Sequence, residues 1–331
     1  MFDFIDPLLG NIWLLVVLLI AGFVLLVKGA DWLVDGASGL AKRFGIADLI
    51  IGLTVVAFGT SMPEFVVNMV SVANDSTDLA ITNILGSNII NTFVILGLTA
   101  LVYPVVSQKR SRDFDIPLSI IAGILVFAMV AVQSPFGEDE KGITRFGGII
   151  LLALFIYFLY NTFRHAKDHP EEAEAEEVKP MVLWKALLLI GVGLIGLVVG
   201  GELIVKGAVR IATDCGVPES IIGLTIVALG TSLPELATSV IAAFKHNSDI
   251  ALGNVIGSNI FNVYFVLGTS AAVRPLSAYD GIVMDAWMAA IGSILVWLFV
   301  KTNHEREVKR WGGVILLLVY AGYLTYRLTH I

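Results

Sequence analysis

Residues 57–67 read AFGTSMPEFVV and residues 228–238 read ALGTSLPELAT. Each places a glutamate directly after a proline inside an otherwise apolar run. Pro63 and Pro234 lack an N–H and clash with the carbonyl four residues earlier, so a helix should kink or break at the GTS triplet. The carbonyls freed near Ala57–Thr60 and Ala228–Thr231 then need partners. In lipid only protein, water or an ion supplies them. Glu64 and Glu235 sharpen the demand. A charge at the bilayer centre costs about 2.5–3.5 kcal/mol on insertion scales, and no Lys or Arg lies in the same turn of either motif. A single proline kink would be ordinary membrane architecture, with Ser or Thr bonding back to its own helix. A kink with an adjacent acid, given twice, points to a cation.

The rest of the chain fits that membrane setting. Of 331 residues, 57% are hydrophobic and 15% charged, and the mean hydropathy is +0.86. Soluble domains carry about 25% charged residues. Ten apolar runs long enough to span a bilayer are expected at 12–38, 47–73, 78–102, 113–133, 143–163, 182–211, 217–243, 249–273, 280–301 and 308–328. The formal net charge of −7 sits in the loops, and EAEAEE at 172–177 alone carries four acids. The first 27 residues hold no Lys or Arg, so the first run is read as a span and not as a signal peptide. Cys215 is the one cysteine, which rules out an internal disulfide. With both termini outside, 14 basic loop residues fall inside and 6 outside, which sets that orientation by the positive-inside rule.

The motif belongs to a repeat. IGLTVVAFGTSMPEF (51–65) matches IGLTIVALGTSLPEL (222–236) at 11 of 15 positions, an offset of 171. At the same offset NILGSNIINTFVILG (83–97) matches NVIGSNIFNVYFVLG (254–268), and RFGGIILL (145–152) has its echo in RWGGVILL (310–317). The expected organisation is a first five-helix repeat at 1–165, an acidic cytoplasmic linker at 166–181 and a second repeat at 182–331. Five is odd, so the second half must cross the membrane in the opposite sense. This is an all-α membrane protein with an inverted-topology repeat, which secondary transporters use to build a site at mid-bilayer.

The second block supplies more oxygen. Ser87 and Asn91 are spaced i,i+4, as are Ser258 and Asn262, which puts each pair on one helix face. Gly86 and Gly257 allow close helix approach. The set is all oxygen, without thiol or imidazole, which suits hard cations such as Ca2+ and not soft metals. All five histidines lie in loops or at a chain end, and His165 with His169 reads as a solvated helix end. No nucleophile–base pair, HExxH or phosphate loop is present, so an enzyme is not expected and no cofactor is required. Nothing suggests nucleic acid or an obligatory protein partner.

The duplicated GTS[LM]PE and GSN blocks resemble the alpha repeats of the cation/Ca2+ exchanger superfamily, in particular its prokaryotic sodium/calcium exchanger branch. The resemblance covers essentially the whole chain. It implies ten helices, with the second, third, seventh and eighth forming the site, in a prokaryotic inner membrane. It implies ion ligands at Ala57, Thr60, Ser61, Glu64, Ser87 and Asn91, and at Ala228, Thr231, Ser232, Glu235, Ser258 and Asn262. Glu64 and Glu235 would clasp Ca2+ with the carbonyls of Thr60 and Thr231, and flanking oxygens would bind Na+. The first and sixth helices, with Lys28 and Lys206 in their shared VKGA stretches, would slide as a gating pair. Some relatives carry an acid where Asn262 stands. Neutral Asn91 and Asn262 imply K+-independent transport, and the short linker implies no separate Ca2+-sensing domain. Two ionised glutamates give −2. One Ca2+ neutralises them, while three Na+, the number the resemblance implies, give +1. Exchange would then be electrogenic, whereas a proton/calcium antiporter moving two protons would not be. A passive cation channel is the more distant alternative.

Overall fold

The computed structural model describes residues 12–131, 142–169, 181–216, 228–279 and 281–329. Expectations that fall on 170–180, the body of the acidic linker, and on 217–227, the start of the seventh apolar run, lie outside the described residues.

The described elements are almost all helical. They are α1 (Ile12–Phe44), α2 (Asp48–Thr60), α3 (Met62–Ala73), α4 (Thr77–Val102), α5 (Ser111–Ala131), α6 (Arg145–Asp168), α7 (Leu183–Asp214), α8 (Ala228–Thr231), α9 (Leu233–Phe244), α10 (Ser248–Val273), α11 (Ile282–Thr302) and α12 (Arg310–Thr329). Eight of these helices are long and apolar enough to span a membrane, and the pair α2–α3 would add a bent ninth span. The ends of the expected runs and of the observed helices differ by a few residues. α1 is the largest case, running six residues past 38 to Phe44.

Two antiparallel strand pairs cross the molecule. β1 (Val105–Val106), which follows α4, pairs with β4 (Glu307–Val308), which precedes α12. β2 (Gly142–Ile143), which precedes α6, pairs with β3 (Leu276–Ser277), which follows α10. Accordingly α12 packs on α4 and α6 packs on α10, so each half of the chain wraps the other.

The connections gather on two faces. On one, Asn247 donates to the Asp48 carboxylate at 2.6 Å, Ser248 bonds the Pro104 carbonyl, and β1 meets β4. Lys245 reaches Asp31 and Asp35 of α1 at 2.6 Å on that same face. On the other, Arg274 pairs with Asp75, Thr77 donates to Ser277 at 3.1 Å, and β2 meets β3.

The hydrophobic core surrounds α4 and α10, with Phe93, Ile81, Ile84, Tyr264 and Ile260 fully buried. α1 and α7 lie outside it as a pair. Their contact is centred on glycines, with Gly22 and Gly29 facing Gly200 and Gly193, while Gly36 lies against Ala186 and Ile190 and Gly207 against Leu19. A Cβ at Gly29 would meet the Gly193 carbonyl oxygen at 2.8 Å, and a Cβ at Gly193 would meet the Gly29 oxygen at 2.8 Å. Gly22 and Gly200 stand in the same reciprocal relation. Small residues let backbones approach where lipid offers no hydrophobic drive. The outer side of α1 stays apolar, with Val16, Val17, Ile20, Phe23, Val24 and Val27 exposed.

Gly29→Leu should therefore destabilise the protein by about 1–3 kcal/mol through overpacking. Gly191→Leu, whose Cβ position has nothing within 4 Å, should leave thermal unfolding in detergent nearly unchanged.

Candidate functional site

Both GTS triplets break their helix, in the same way. Ser61 has φ −84° and ψ 5°, and Ser232 has φ −89° and ψ 4°. Both sit in the bridge region between α and β, and α2 and α3 meet at a 44° bend. Pro63 and Pro234 fall in the first turn of α3 and α9, where a missing N–H costs nothing. Glu64 and Glu235 then sit in the first turn of a new helix, on its positive end. One expected carbonyl is not free. The Ala57 oxygen accepts from the Ser61 amide at 3.0 Å, because the last turn of α2 closes before the break.

α4 and α10 cross beside these breaks, and each widens into π-helical turns, at Ile90–Ile95 and Phe261–Leu267. π-turns cluster at functional sites because they re-aim side chains. Asn91 and Asn262 are the second residues of these segments. Gly257 permits the close approach expected of it, since a Cβ there would lie 2.7 Å from the Ala57 Cβ. Gly86 differs, because the position of its Cβ has nothing within 4 Å.

The two acids share one space. Ser61 donates to Glu235 Oε1 at 3.1 Å, across the two halves. Glu64 lies near enough to Glu235 to feel its charge, with the Thr231 and Ser87 hydroxyls beside its carboxylate. Thr60 and Ser258 lie beside Glu235. Both glutamates are fully buried.

Side-chain oxygens with no hydrogen-bond partner concentrate here. They are Glu64 Oε1 and Oε2, Glu235 Oε2, the hydroxyls of Ser87, Ser258, Thr231 and Ser232, and Oδ1 of Asn91 and Asn262. Leaving a buried polar group unpaired costs about 1–3 kcal/mol, so nine such oxygens in one place form an unmet demand for hydrogen-bond donors or positive charge. The unpartnered atoms are all oxygens, the donor type that hard cations take. Of the remaining expected positions, Thr60 and Ser61 are bonded inward, Ala57 is fully buried against α10, and Ala228 begins α8. His165 and His169 stack on each other at the end of α6.

A second tier of asparagines aims this cluster, and the sequence reading passed over it. Asn91 Nδ2 donates to Asn259 Oδ1 at 3.3 Å, and Asn262 Nδ2 donates to Asn88 Oδ1 at 3.0 Å. With both amide nitrogens held by the opposite half, the Oδ1 atoms are turned away from those partners. Asn259 also donates to Thr92 at 2.8 Å, and Asn88 donates to the Asn259 carbonyl at 3.2 Å. Asn254 and Ser239 buttress Glu235 in the same manner. The available signal was the third residue of each GSN triplet and the first of each NxxGSN block, both repeated.

The profile described as "Sodium/calcium exchanger protein" matches residues 14–164 and 185–329. The "Putative antiporter CaxA" of Alkalimonas amylolytica is 37% identical over 319 residues, covering 93% of this chain and 96% of that protein. "Sodium/calcium exchanger MaX1" of Methanosarcina acetivorans is 32% identical over 344 residues, covering 93% and 96%. Among solved structures, a "sodium-calcium exchanger NCX_Mj" soaked with zero Na+ and Ca2+ superposes with a TM-score of 0.81 at 31% identity, covering 96% of this chain and 99% of that one.

Asn259→Ala strands the Asn91 amide and the Thr92 hydroxyl at once. It should lower stability by about 1–3 kcal/mol per stranded group, read as a drop in thermal unfolding temperature. Thr82→Ala, which removes only an exposed bond within its own helix, should have little effect.

Proposed function

The chain belongs to the sodium/calcium exchanger protein family, and from that membership we propose that it exchanges Na+ for Ca2+ across the membrane by alternating access, electrogenically and without K+. The observation that carries the reading is the convergence of Glu64, Glu235 and six further unpartnered oxygens at two helix breaks. The ligand set is the twelve positions read from the repeats, Ala57, Thr60, Ser61, Glu64, Ser87 and Asn91 with Ala228, Thr231, Ser232, Glu235, Ser258 and Asn262. The architecture proposed is ten spans in two inverted repeats, counting α2–α3 as one and α8–α9 as another. The alternating faces of the loops support it, because each half contributes to both strand pairs.

Charge accounts for the coupling. Two ionised carboxylates without cargo would be buried and unpaired, which is strongly unfavourable, so the bare site resists occlusion. Ca2+ neutralises the pair. Na+ ions can do so too, and one in excess of two leaves a net positive charge. Moving that charge through the membrane potential is worth about 2.3 kcal/mol per 100 mV, so the cycle should carry current. Neutral Asn91 and Asn262 keep the fixed charge at two carboxylates. The glycine contacts support sliding of α1 and α7 together against the core as the movement that switches access, because backbone lies directly on backbone at Gly22–Gly200 and Gly29–Gly193 and holds the two as a pair. Lys28 and Lys206 lie on these two helices. Both termini are assigned to the outside by the distribution of basic residues.

Glu64→Ala or Glu235→Ala should each abolish 45Ca2+ uptake into proteoliposomes carrying a Na+ gradient, and retained gradient-driven uptake in either would refute the site. Uptake should generate current and follow the Na+ gradient. If it followed pH without current, the proton/calcium alternative would stand instead. Deleting 171–177 should leave transport rates close to those of the unaltered chain.

A further inference from the structure

The two halves of the cluster are not in the same condition. Asn254, fully buried on α10, makes three bonds. Its Oδ1 accepts from the Thr60 hydroxyl at 3.1 Å. Its Nδ2 donates to the Glu235 carbonyl at 3.2 Å and to Ser239 Oγ at 2.9 Å. One side chain thereby ties the last residue of α2, the first turn of α9 and the body of α10. Its counterpart at the offset of 171 is Asn83 on α4. Asn83 makes only the anchoring bond, to Asn68 Oδ1 at 2.8 Å, and is half-buried. Thr231, the counterpart of Thr60, makes no bond to Asn83, and among the described residues the Ser232 hydroxyl is unbonded where Ser61 holds Glu235.

The closed half lies on a definite route. α2 and α10 both start at the face carrying loops 45–47 and 245–248. They run side by side toward the acids with glycine at each contact. A Cβ at Gly52 would lie 3.1 Å from the Ile250 Cα, and one at Gly253 would lie 2.9 Å from the Leu49 oxygen. A Cβ at Gly257 would lie 2.9 Å from the Leu53 Cα. At these three contacts glycine lets backbone lie against backbone, so the seam can seal closely or part without unlocking a large side chain from those points. Asn254 is the polar tie at its inner end.

We propose that Asn254 and Asn83 are alternating clasps that decide which face of the membrane the acids see. Asn254 bonded to Thr60 shuts the route past α2. In the opposite state Asn83 takes the equivalent bonds, to Thr231 and the Glu64 carbonyl, and Asn254 lets Thr60 go. Each clasp is anchored by its own half, Asn68 or Ser239, so it keeps its position while its partner helix departs. The two hydroxyls thus alternate between bonding a clasp and facing the cavity. This deepens the exchanger reading and rests on it. Both asparagines act as positioning residues.

The test uses the full chain with Cys215→Ser and a single reporter, Leu53→Cys, in proteoliposomes. Leu53 is fully buried in the seam. A membrane-impermeant thiol reagent is applied at the face of loops 45–47 and 245–248, and the labelling rate is read. Asn254→Ala should raise the rate roughly tenfold, as the loss of two to three buried hydrogen bonds allows. Ser239→Ala, which removes only the anchor, should raise it less, roughly threefold. Asn83→Ala should give no rise, since it weakens the opposite closure. An unchanged rate in Asn254→Ala overturns the proposal, and so does an equal rise in Asn83→Ala, which would mean general loosening. If Asn254→Ala does not fold, the near-isosteric Asn254→Asp and Ser239→Ala are judged by the same rule. Na+-driven 45Ca2+ flux by the unaltered chain is measured in parallel. Its absence would sink the exchanger reading, while the labelling pattern alone decides the clasp.

Discussion

Two carboxylates buried between two broken helices set the terms for everything around them. Among the described residues neither Glu64 nor Glu235 has a cationic side chain bonded to it, and most of their oxygen valence is unspent. In a low-dielectric interior such a pair needs a cation or a proton to neutralise it. The break that places each acid also places it at a helix start, where the backbone dipole offsets part of the cost. Proline, serine and glutamate therefore work as one unit, in which the proline excludes a continuous helix, the serine turns the chain and the glutamate occupies the new first turn.

The surrounding polar residues divide into those that face the cavity and those that hold others in place. Asn88, Asn259 and Asn254 bond to side chains and carbonyls of neighbouring helices and leave the cavity-facing oxygens of Asn91 and Asn262 unspent. Such a network is worth having only when its members are satisfied. Here the outer tier is bonded and the inner tier is not, which keeps the frame rigid while the inner oxygens remain available. The glycine seams do the corresponding work for the helices. They bring backbones into direct contact at Gly22–Gly200 and Gly29–Gly193 between α1 and α7, and at Gly52, Gly253 and Gly257 between α2 and α10.

The chain's near-symmetry is broken where motion matters. Thr60 and Ser61 are bonded while Thr231 and Ser232 are not, although the two segments carry the same GTS triplet. Identical sequence in unlike states is what the proposed alternation between two faces requires, since one half would be shut while the other is not. The strand pairs and the packing of α6 on α10 and α12 on α4 fasten the halves together. A change in one half is then felt by the other.

The sequence alone determined the apolar runs, the two breaks, the acids and the oxygen character of their surroundings, because each follows from local rules: hydropathy, the missing proline N–H and the spacing of donors along a helix. It also exposed the offset of 171 that pairs both site motifs with their twins. It could not say that Ser61 of one half bonds Glu235 of the other, that Asn254 and Asn259 hold the site from behind, or that the Ala57 carbonyl is already taken. Those depend on which helices touch, at what depth and with what rotation. Contacts between residues some 170 positions apart are fixed by packing against the whole core, a quantity that no local pattern contains.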